Sequence, residues 1–280
     1  SNAMLAANTY GSSPAKKNNL SCVYEGTQVP IDAGLRIETR YFINTQQRPE
    51  AKAMIRSLFL SMLELSKGGN RPAGYDKAEF KKIAVVGAGL MGAGIAYVQA
   101  KAGIPTVLVD VSKENAEKGK DYSRRLVEKD LSRGKTTQEK GDKLLDLITT
   151  TDSYDDVKGA DLVVEAVFEN PELKAKITKM AEDVISADAI FGSNTSTLPI
   201  TGLAEASSRP ENFIGIHFFS PVERMGLVEI ITGEKTTEET LAKSIDYVLA
   251  IRKTPIVVND SRGFYTSRCF GTYTQEGMAM

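Results

Sequence analysis

His217 is the only histidine in the chain, and it stands in the apolar run FIGIHFF. Imidazole is the side chain best suited to taking a proton near neutral pH. A carboxylate beside it would orient the ring and stabilise its cation. Glu229, in the apolar run LVEII, is the candidate, because an acid is costly to bury unpaired. The same residues also admit a plainer reading, a satisfied core histidine and an edge-strand glutamate facing water. Two further polar sets follow apolar runs. Glu169, Asn170 and Lys174 follow DLVVEAV, and Asn194, Thr195 and Ser196 follow AIF.

A fourth set is made of glycine. Gly87, Gly89 and Gly92 have the spacing G-x-G-x-x-G and follow the β-branched run Ile83-Ala84-Val85-Val86. Gly87 allows a tight turn out of a strand. Gly89 lets a pyrophosphate approach the backbone, and Gly92 lets the next helix pack on the sheet. That helix offers unpaired N–H groups and a positive dipole end to phosphates. A second apolar run, Thr106 to Val109, ends in Asp110, placed to accept from ribose hydroxyls. A carboxylate repels a 2′-phosphate, and Val111-Ser112 supplies no arginine to receive one, so NAD is expected rather than NADP.

These groups need elements to hold them. Apolar runs near residues 83, 106, 148, 161, 189, 213, 227 and 255 read as strands, and helical stretches separate most of them. The alternation predicts an α/β fold, Rossmann-like and doubly wound, with a mainly parallel sheet. In such sheets ligands bind beyond the carboxyl ends of the strands, where the three polar sets collect. The helix from Ser112 to about Arg133 is charged, with little apolar stripe, and much of it is expected to be solvated. Upstream, LAANTYGSSPAKKNNL reads as loose, Val29 to Phe42 as a turn and a short helix, and Arg48 to Lys67 as a helix with a broad apolar face. Docking of that helix on the nucleotide domain is the simple expectation.

The totals exclude several classes. Lys+Arg 35 against Asp+Glu 36 leaves no basic surface for nucleic acid. No apolar run approaches the length of a membrane span. Cys22 and Cys269 are too few for a disulfide framework, which suits a cytoplasmic setting with both thiols free. No metal site is expected. Ser1-Asn2-Ala3 before Met4 reads as the remnant of an expression tag.

Five blocks in order, VGAGLMGAGIA, VVEAVFEN, SNTSTLPI, GIHFFSPVERMGLVEII and VVNDSRGFYTSR, resemble the L-3-hydroxyacyl-CoA dehydrogenases from about Lys81 onward. GTQVPIDAGLRIETRYF and the helix after it resemble the end of the enoyl-CoA hydratase part of multifunctional fatty-acid oxidation proteins. The resemblance implies NAD-dependent oxidation of (S)-3-hydroxyacyl-CoA to 3-ketoacyl-CoA. It implies His217 as general base, Glu229 as its partner and Ser196 on the substrate's 3-oxygen. The cofactor would be held by Gly87, Gly89, Leu90, Met91, Gly92, Asp110, Glu169, Lys174 and Asn194, with Glu169 and Lys174 beside the nicotinamide ribose and amide. Ser220 and Ser267 stand where the family usually has asparagine, and Arg262 where it has proline; serine has a shorter reach to the substrate.

The resemblance also implies an organisation. Residues 1–78 would be a hydratase tail and linker helix, 79–261 the NAD-binding domain, and 262–280 the start of a truncated C-terminal helical domain that closes over the acyl-CoA. The chain is then expected to bind NAD and turn over little substrate. The native protein would be oligomeric, with a thiolase subunit as a candidate partner. A non-catalytic, structural protein on the same scaffold is the alternative, against which the His217, Glu229 and Ser196 set argues. A β-hydroxyacid dehydrogenase is a further one, which the HFFSP block does not fit.

Overall fold

A computed structural model describes residues 2–280, which fall into two compact units that divide between residues 64 and 65.

Among its described residues the first unit's regular elements are all helices. It comprises α1 (Asn2–Thr9), α2 (Pro14–Gly26), α3 (Ile31–Gln47), α4 (Pro49–Met54), a π-helical stretch (Ile55–Ser61) and the start of α5 (Met62–Ser66). The stretch expected to be loose is therefore helical, and the short helix expected before Phe42 runs for 17 residues. Proline at the first position of α2 and α4 explains part of this, since its missing N–H and fixed φ suit a helix start. Helices α2 and α3 approach closely at Gly26 and Gly34, where an added Cβ on Gly34 would lie 3.4 Å from the Gly26 carbonyl oxygen. Polar contacts join them: Asn18 Nδ2 donates to Asn44 Oδ1 and Thr45 Oγ1, both at 2.9 Å, and Arg40 pairs with Glu25 at 2.7 Å. Among the described residues the unit buries no apolar side chain, and Phe42, Leu58 and Phe59 are exposed. Both cysteines, Cys22 and Cys269, are free.

The second unit is built on one sheet of eight strands. They are β1 (Ile83–Val86), β2 (Thr106–Val109), β3 (Ile148–Thr151), β4 (Leu162–Glu165), β5 (Ile190–Ser193), β6 (Phe213–Phe218), β7 (Leu227–Thr232) and β8 (Thr254–Asn259). Their order is β3-β2-β1-β4-β5-β6-β7-β8. All pairings are parallel except β6 with β7. The order reverses between β1 and β4, the crevice where open α/β sheets take their ligands.

Helices cover both faces: α6 (Leu90–Lys101), α7 (Lys113–Ser132), α8 (Gln138–Asp146), α9 (Pro171–Glu182), α10 (Ile200–Ala204) and α11 (Glu238–Ala250); α12 (Thr266–Ala279) follows β8 and buries none of its residues. Side chains alternate across a strand. Val85, Leu108, Val164 and Ile216 join one core with Ile95 of α6 and Ile245 of α11. Val86, Val107, Val163 and Phe213 join the other with Ile177 of α9 and Ile200 of α10.

Helix α7 carries a buried stripe after all, at Ala116, Gly119, Ser123 and Val127. It is made of small residues because the approach is tight: an added Cβ on Gly119 would lie 2.8 Å from Ala88 Cβ and from Ala88 O. The strand expected over residues 161–167 pairs only at Leu162–Glu165, and the one expected to end at Phe191 runs on to Ser193. The connection before β1 is tied to α11, where Arg71 forks onto the Asp246 carboxylate at 2.8 and 2.9 Å. Ala78 N donates to the same carboxylate.

Candidate functional site

The glycine turn leaves β1 as expected. Gly87 has φ +99°, and a Cβ there would lie 2.7 Å from the Ala166 carbonyl oxygen in the turn after β4. Gly92 is more constrained, since a Cβ would sit 1.7 Å from the Gly87 carbonyl oxygen. Gly89 is the opposite case, because a Cβ there would meet nothing within 4 Å. It caps α6 without a side chain, and the first turn of the helix holds no acid. Leu90 and Met91 therefore follow an open, positive helix end, free to receive an anion on backbone N–H groups.

Asp110 closes the cradle from the end of β2. Its Oδ2 accepts from Ala88 N at 2.7 Å and its Oδ1 from Val111 N at 2.8 Å. Asn115 Nδ2 lies 3.3 Å from Oδ1. A carboxylate has about four acceptor sites, so Asp110 shapes the glycine turn and keeps capacity for a ribose hydroxyl. Open backbone at Gly89, forbidden Cβ positions at Gly87 and Gly92 and a terminal acid together fit a dinucleotide.

His217 and Glu229 face each other directly in the antiparallel β6–β7 pair. Residues opposite one another in such a pair share a face. His217 Nδ1 lies 2.7 Å from Glu229 Oε2. Both are buried, Glu229 at 0% exposure, so the edge-strand reading of Glu229 fails. The other oxygen, Oε1, accepts from Thr266 N at 2.8 Å and Tyr265 N at 3.3 Å. Those donors are aimed by the turn before α12, in which Gly263 and Phe264 both have positive φ, the second at 46°. Phe264 is buried against the imidazole at 5.8 Å between ring centres, and Phe219 lies at 4.6 Å.

Burial would push the Glu229 carboxyl up, but the His217 contact and the Thr266 N–H outweigh it and hold the group below its ordinary range. Glu229 is thus an anion, and an anionic carboxylate only accepts. Nδ1 must donate to it, which leaves the lone pair of the neutral ring on Nε2.

A second polar cluster lies on the same face of the sheet. Glu169, one of the polar residues the sequence places after β4, is its hub. Its Oε1 accepts from Thr195 Oγ1 at 2.8 Å, Ser196 N at 2.7 Å and Ser196 Oγ at 3.0 Å. Its Oε2 faces Lys174 Nζ at 3.2 Å. Partial burial pushes this carboxyl up, while the Ser196 N–H, the Lys174 charge and the hydroxyls bring it below the ordinary value. Lys174 is buried and reaches two carboxylates; the other belongs to Glu165, at 2.8 and 3.0 Å. Glu165 was missed in the sequence, although an acid in the run LVVEAV carries the same signal as Glu229 in LVEII.

Asn194 joins the two clusters, since its Oδ1 accepts from Phe218 N at 2.8 Å, beside His217. Ser220 is exposed and precedes a cis bond to Pro221, next to the Phe219 ring. Ser267 follows Thr266 in the first turn of α12 and is half-buried. No hydrogen bond links either serine to the His217 pair among the described contacts. Among the described residues no group of three or more His, Cys, Asp or Glu could hold a metal ion.

Folded-state carboxyls below their ordinary values make stability depend on acid. The contribution of Glu229 and Glu169 is complete above the unfolded value, about 4.5, and is lost as the pH falls through the lower folded value. We expect the urea midpoint to fall on acidification below about pH 4.5. A Glu229→Gln variant should show a shallower fall. Identical acid profiles would contradict the burial and pairing of Glu229.

The chain is 42% identical over 272 residues to a fatty acid oxidation complex subunit alpha of Shewanella amazonensis, covering 96% of this chain and 38% of that protein. It spans about two fifths of the length of the curated relatives it matches. The solved (S)-3-hydroxybutyryl-CoA dehydrogenase of Ralstonia eutropha superposes with TM-score 0.69 at 37% identity, over 71% of this chain and 70% of that one. The 3-hydroxybutyryl-CoA dehydrogenase of Escherichia coli does so with TM-score 0.64 at 29% identity, over 71% and 44%. Residues 82–261, which hold the glycine turn, Asp110, the Glu169 cluster and the His217–Glu229 pair, match the family model described as 3-hydroxyacyl-CoA dehydrogenase, NAD binding domain. The chain belongs to that family, and its cofactor is NAD.

Proposed function

We propose that the whole protein oxidises (S)-3-hydroxyacyl-CoA to 3-ketoacyl-CoA, with His217 as general base. The observation that carries this reading is the buried His217 Nδ1 to Glu229 Oε2 contact of 2.7 Å, which leaves Nε2 to take the substrate's hydroxyl proton. Bound NAD supplies the hydride acceptor for C3. Glu229 stays ionised and stabilises the imidazolium that forms.

Gly87, Gly89, Leu90, Met91, Gly92 and Asp110 are proposed to hold the dinucleotide, with Glu169 and Asn194 toward its nicotinamide end and Lys174 acting beside Glu169. Ser196 is proposed to meet the 3-oxygen. Its hydroxyl donates to Glu169 in this structure, so it must turn away from Glu169 to donate to substrate. Ser220 and Ser267, each next to a residue that touches the His217 pair, are proposed substrate neighbours. Residues 79–261 serve as the NAD-binding domain in this reading, and 262–280 are proposed to open a C-terminal helical domain. A place in a fatty acid oxidation complex is proposed on the names of the curated relatives; a thiolase subunit as partner and a cytoplasmic setting are proposed on the sequence resemblance alone.

The test is the initial rate of NADH formation by the whole protein, with (S)- and (R)-3-hydroxyacyl-CoA and with NAD or NADP. Activity should be confined to the (S) substrate. A hydrogen bond to a charged acceptor contributes about 1.5–3 kcal/mol, so Asp110 should favour NAD over NADP by about tenfold to a hundredfold in affinity. Equal affinity for both cofactors would contradict the role of Asp110. An absence of (S) turnover would overturn the reading.

A further inference from the structure

Glu165 ends β4 with its carboxylate 1% exposed, and nothing in the mechanism above uses it. It shares a sheet face with Ser193, His217 and Glu229, as strand alternation requires. Every acceptor position it offers has a partner. Its Oε1 takes Lys174 Nζ at 2.8 Å and Val167 N at 2.8 Å. Its Oε2 takes Lys174 Nζ at 3.0 Å and Ser193 Oγ at 2.7 Å. An ammonium has three N–H donors and no acceptor. Two of the Lys174 donors are directed at Glu165, and the third has Glu169 Oε2 at 3.2 Å. The Lys174 side chain is 3% exposed, so it has neither a spare donor nor an open path toward a bound dinucleotide.

We infer that Glu165 is a positioning residue: it anchors Lys174, which holds Glu169 and, through Glu169, the Thr195–Thr197 turn that carries Ser196. This deepens the proposed function and rests on it, since Glu169 and Ser196 matter only if that turn faces cofactor and substrate. The arrangement divides the labour of Glu169 between its two oxygens. Oε1 collects the turn, and Oε2 is pinned by Lys174. With Glu165 neutral, Lys174 has one carboxylate in place of two. The lysine is then drawn toward Glu169, and Glu169 is drawn off the turn. A buried pair that served stability alone would lower the unfolding midpoint without changing the affinity of the folded protein. A positioning residue changes affinity, and does so only while Glu169 is present to transmit it.

A double-mutant cycle on NADH affinity separates the two. The variants are Glu165→Gln, Glu169→Gln and both together, measured by fluorescence titration of the chain alongside thermal unfolding. Glutamine at 165 keeps the shape, accepts from Lys174 and Val167 N, and can donate to Ser193 Oγ. We expect Glu165→Gln to weaken NADH binding about tenfold, and the double variant to bind no more weakly than Glu169→Gln alone, as for residues in one network. If Glu165→Gln does not unfold cooperatively, Glu165→Asp takes its place in the cycle. Wild-type NADH affinity in a folded Glu165 variant would overturn the inference and leave the proposed function standing. So would additive losses, which would mean that Glu165 acts independently of Glu169. A wild-type chain with no affinity for NADH would overturn the functional reading, and this inference with it.

Discussion

Replacing His217 by glutamine should lower turnover of the whole protein by about 10²–10⁴-fold, the usual contribution of a positioned general base. NADH affinity should stay at the wild-type value. The substitution is mild for the fold, because a glutamine amide can still donate to Glu229 Oε2, which the imidazole Nδ1 contacts at 2.7 Å. It is severe for the chemistry, because no lone pair of suitable basicity then faces the substrate. Removing Glu229 would be a poorer test. It leaves His217 without its orienting partner and orphans the Thr266 and Tyr265 N–H groups that Glu229 Oε1 receives. Loss of one partner from a buried pair typically costs about 3–5 kcal/mol of stability, which would mix folding with catalysis. Near-normal turnover in His217→Gln would remove the base assignment.

Gly92→Ala should damage both fold and cofactor binding, while Gly89→Ala should damage binding alone. The added methyl at Gly92 would lie 1.7 Å from the Gly87 carbonyl oxygen and 3.3 Å from Val85 Cγ1. The first of these is backbone and cannot step aside as a flexible side chain could. Helix α6 must lift from the sheet, at the cost of overpacking, about 1–3 kcal/mol. Its amino end moves with it. Two lost hydrogen bonds from Leu90 and Met91 to an anion, at about 1.5 kcal/mol or more each, amount to about a hundredfold in NADH affinity. At Gly89 an added Cβ meets no protein atom within 4 Å, so its methyl projects into the space proposed for the pyrophosphate. Thermal midpoints together with NADH titrations distinguish the two. A Gly92→Ala protein as stable and as tight-binding as wild type would contradict the close helix packing.

The glycine turn, Asp110, the strand–helix alternation and the His217–Glu229 pair were legible because each has a local signature. Glycine spacing marks a turn, and an acid inside an apolar run marks a buried partner. Glu165 carried that second signature but stands at the very end of β4, where the strand gives way to the turn that begins at Ala166. The contacts of Lys174 were not legible, since its neighbours Glu165 and Glu169 are brought to it by the packing of α9 on the sheet. Helix α7 shows a different limit. Its buried stripe of Ala116, Gly119 and Ser123 is chosen for close approach rather than apolarity, so a search for large apolar residues misses it. The helices before residue 30 were obscured by asparagine, serine and glycine, which favour caps and turns in isolation. Local propensity gave way there to the α2–α3 contacts that fix Asn18 against Asn44 and Thr45.

The account depends most on how the single imidazole is held, and one spectrum reads that directly. The chain has one histidine, so a long-range ¹H–¹⁵N correlation contains a single ring system and needs no assignment by mutation. Recorded on the neutral form, it should show the proton on Nδ1 and an unprotonated Nε2. Glu229→Gln should lose that bias, because an amide can present either a donor or an acceptor to Nδ1. A neutral ring carrying its proton on Nε2 in the wild-type chain would leave no base facing the substrate, and would contradict the assignment of His217.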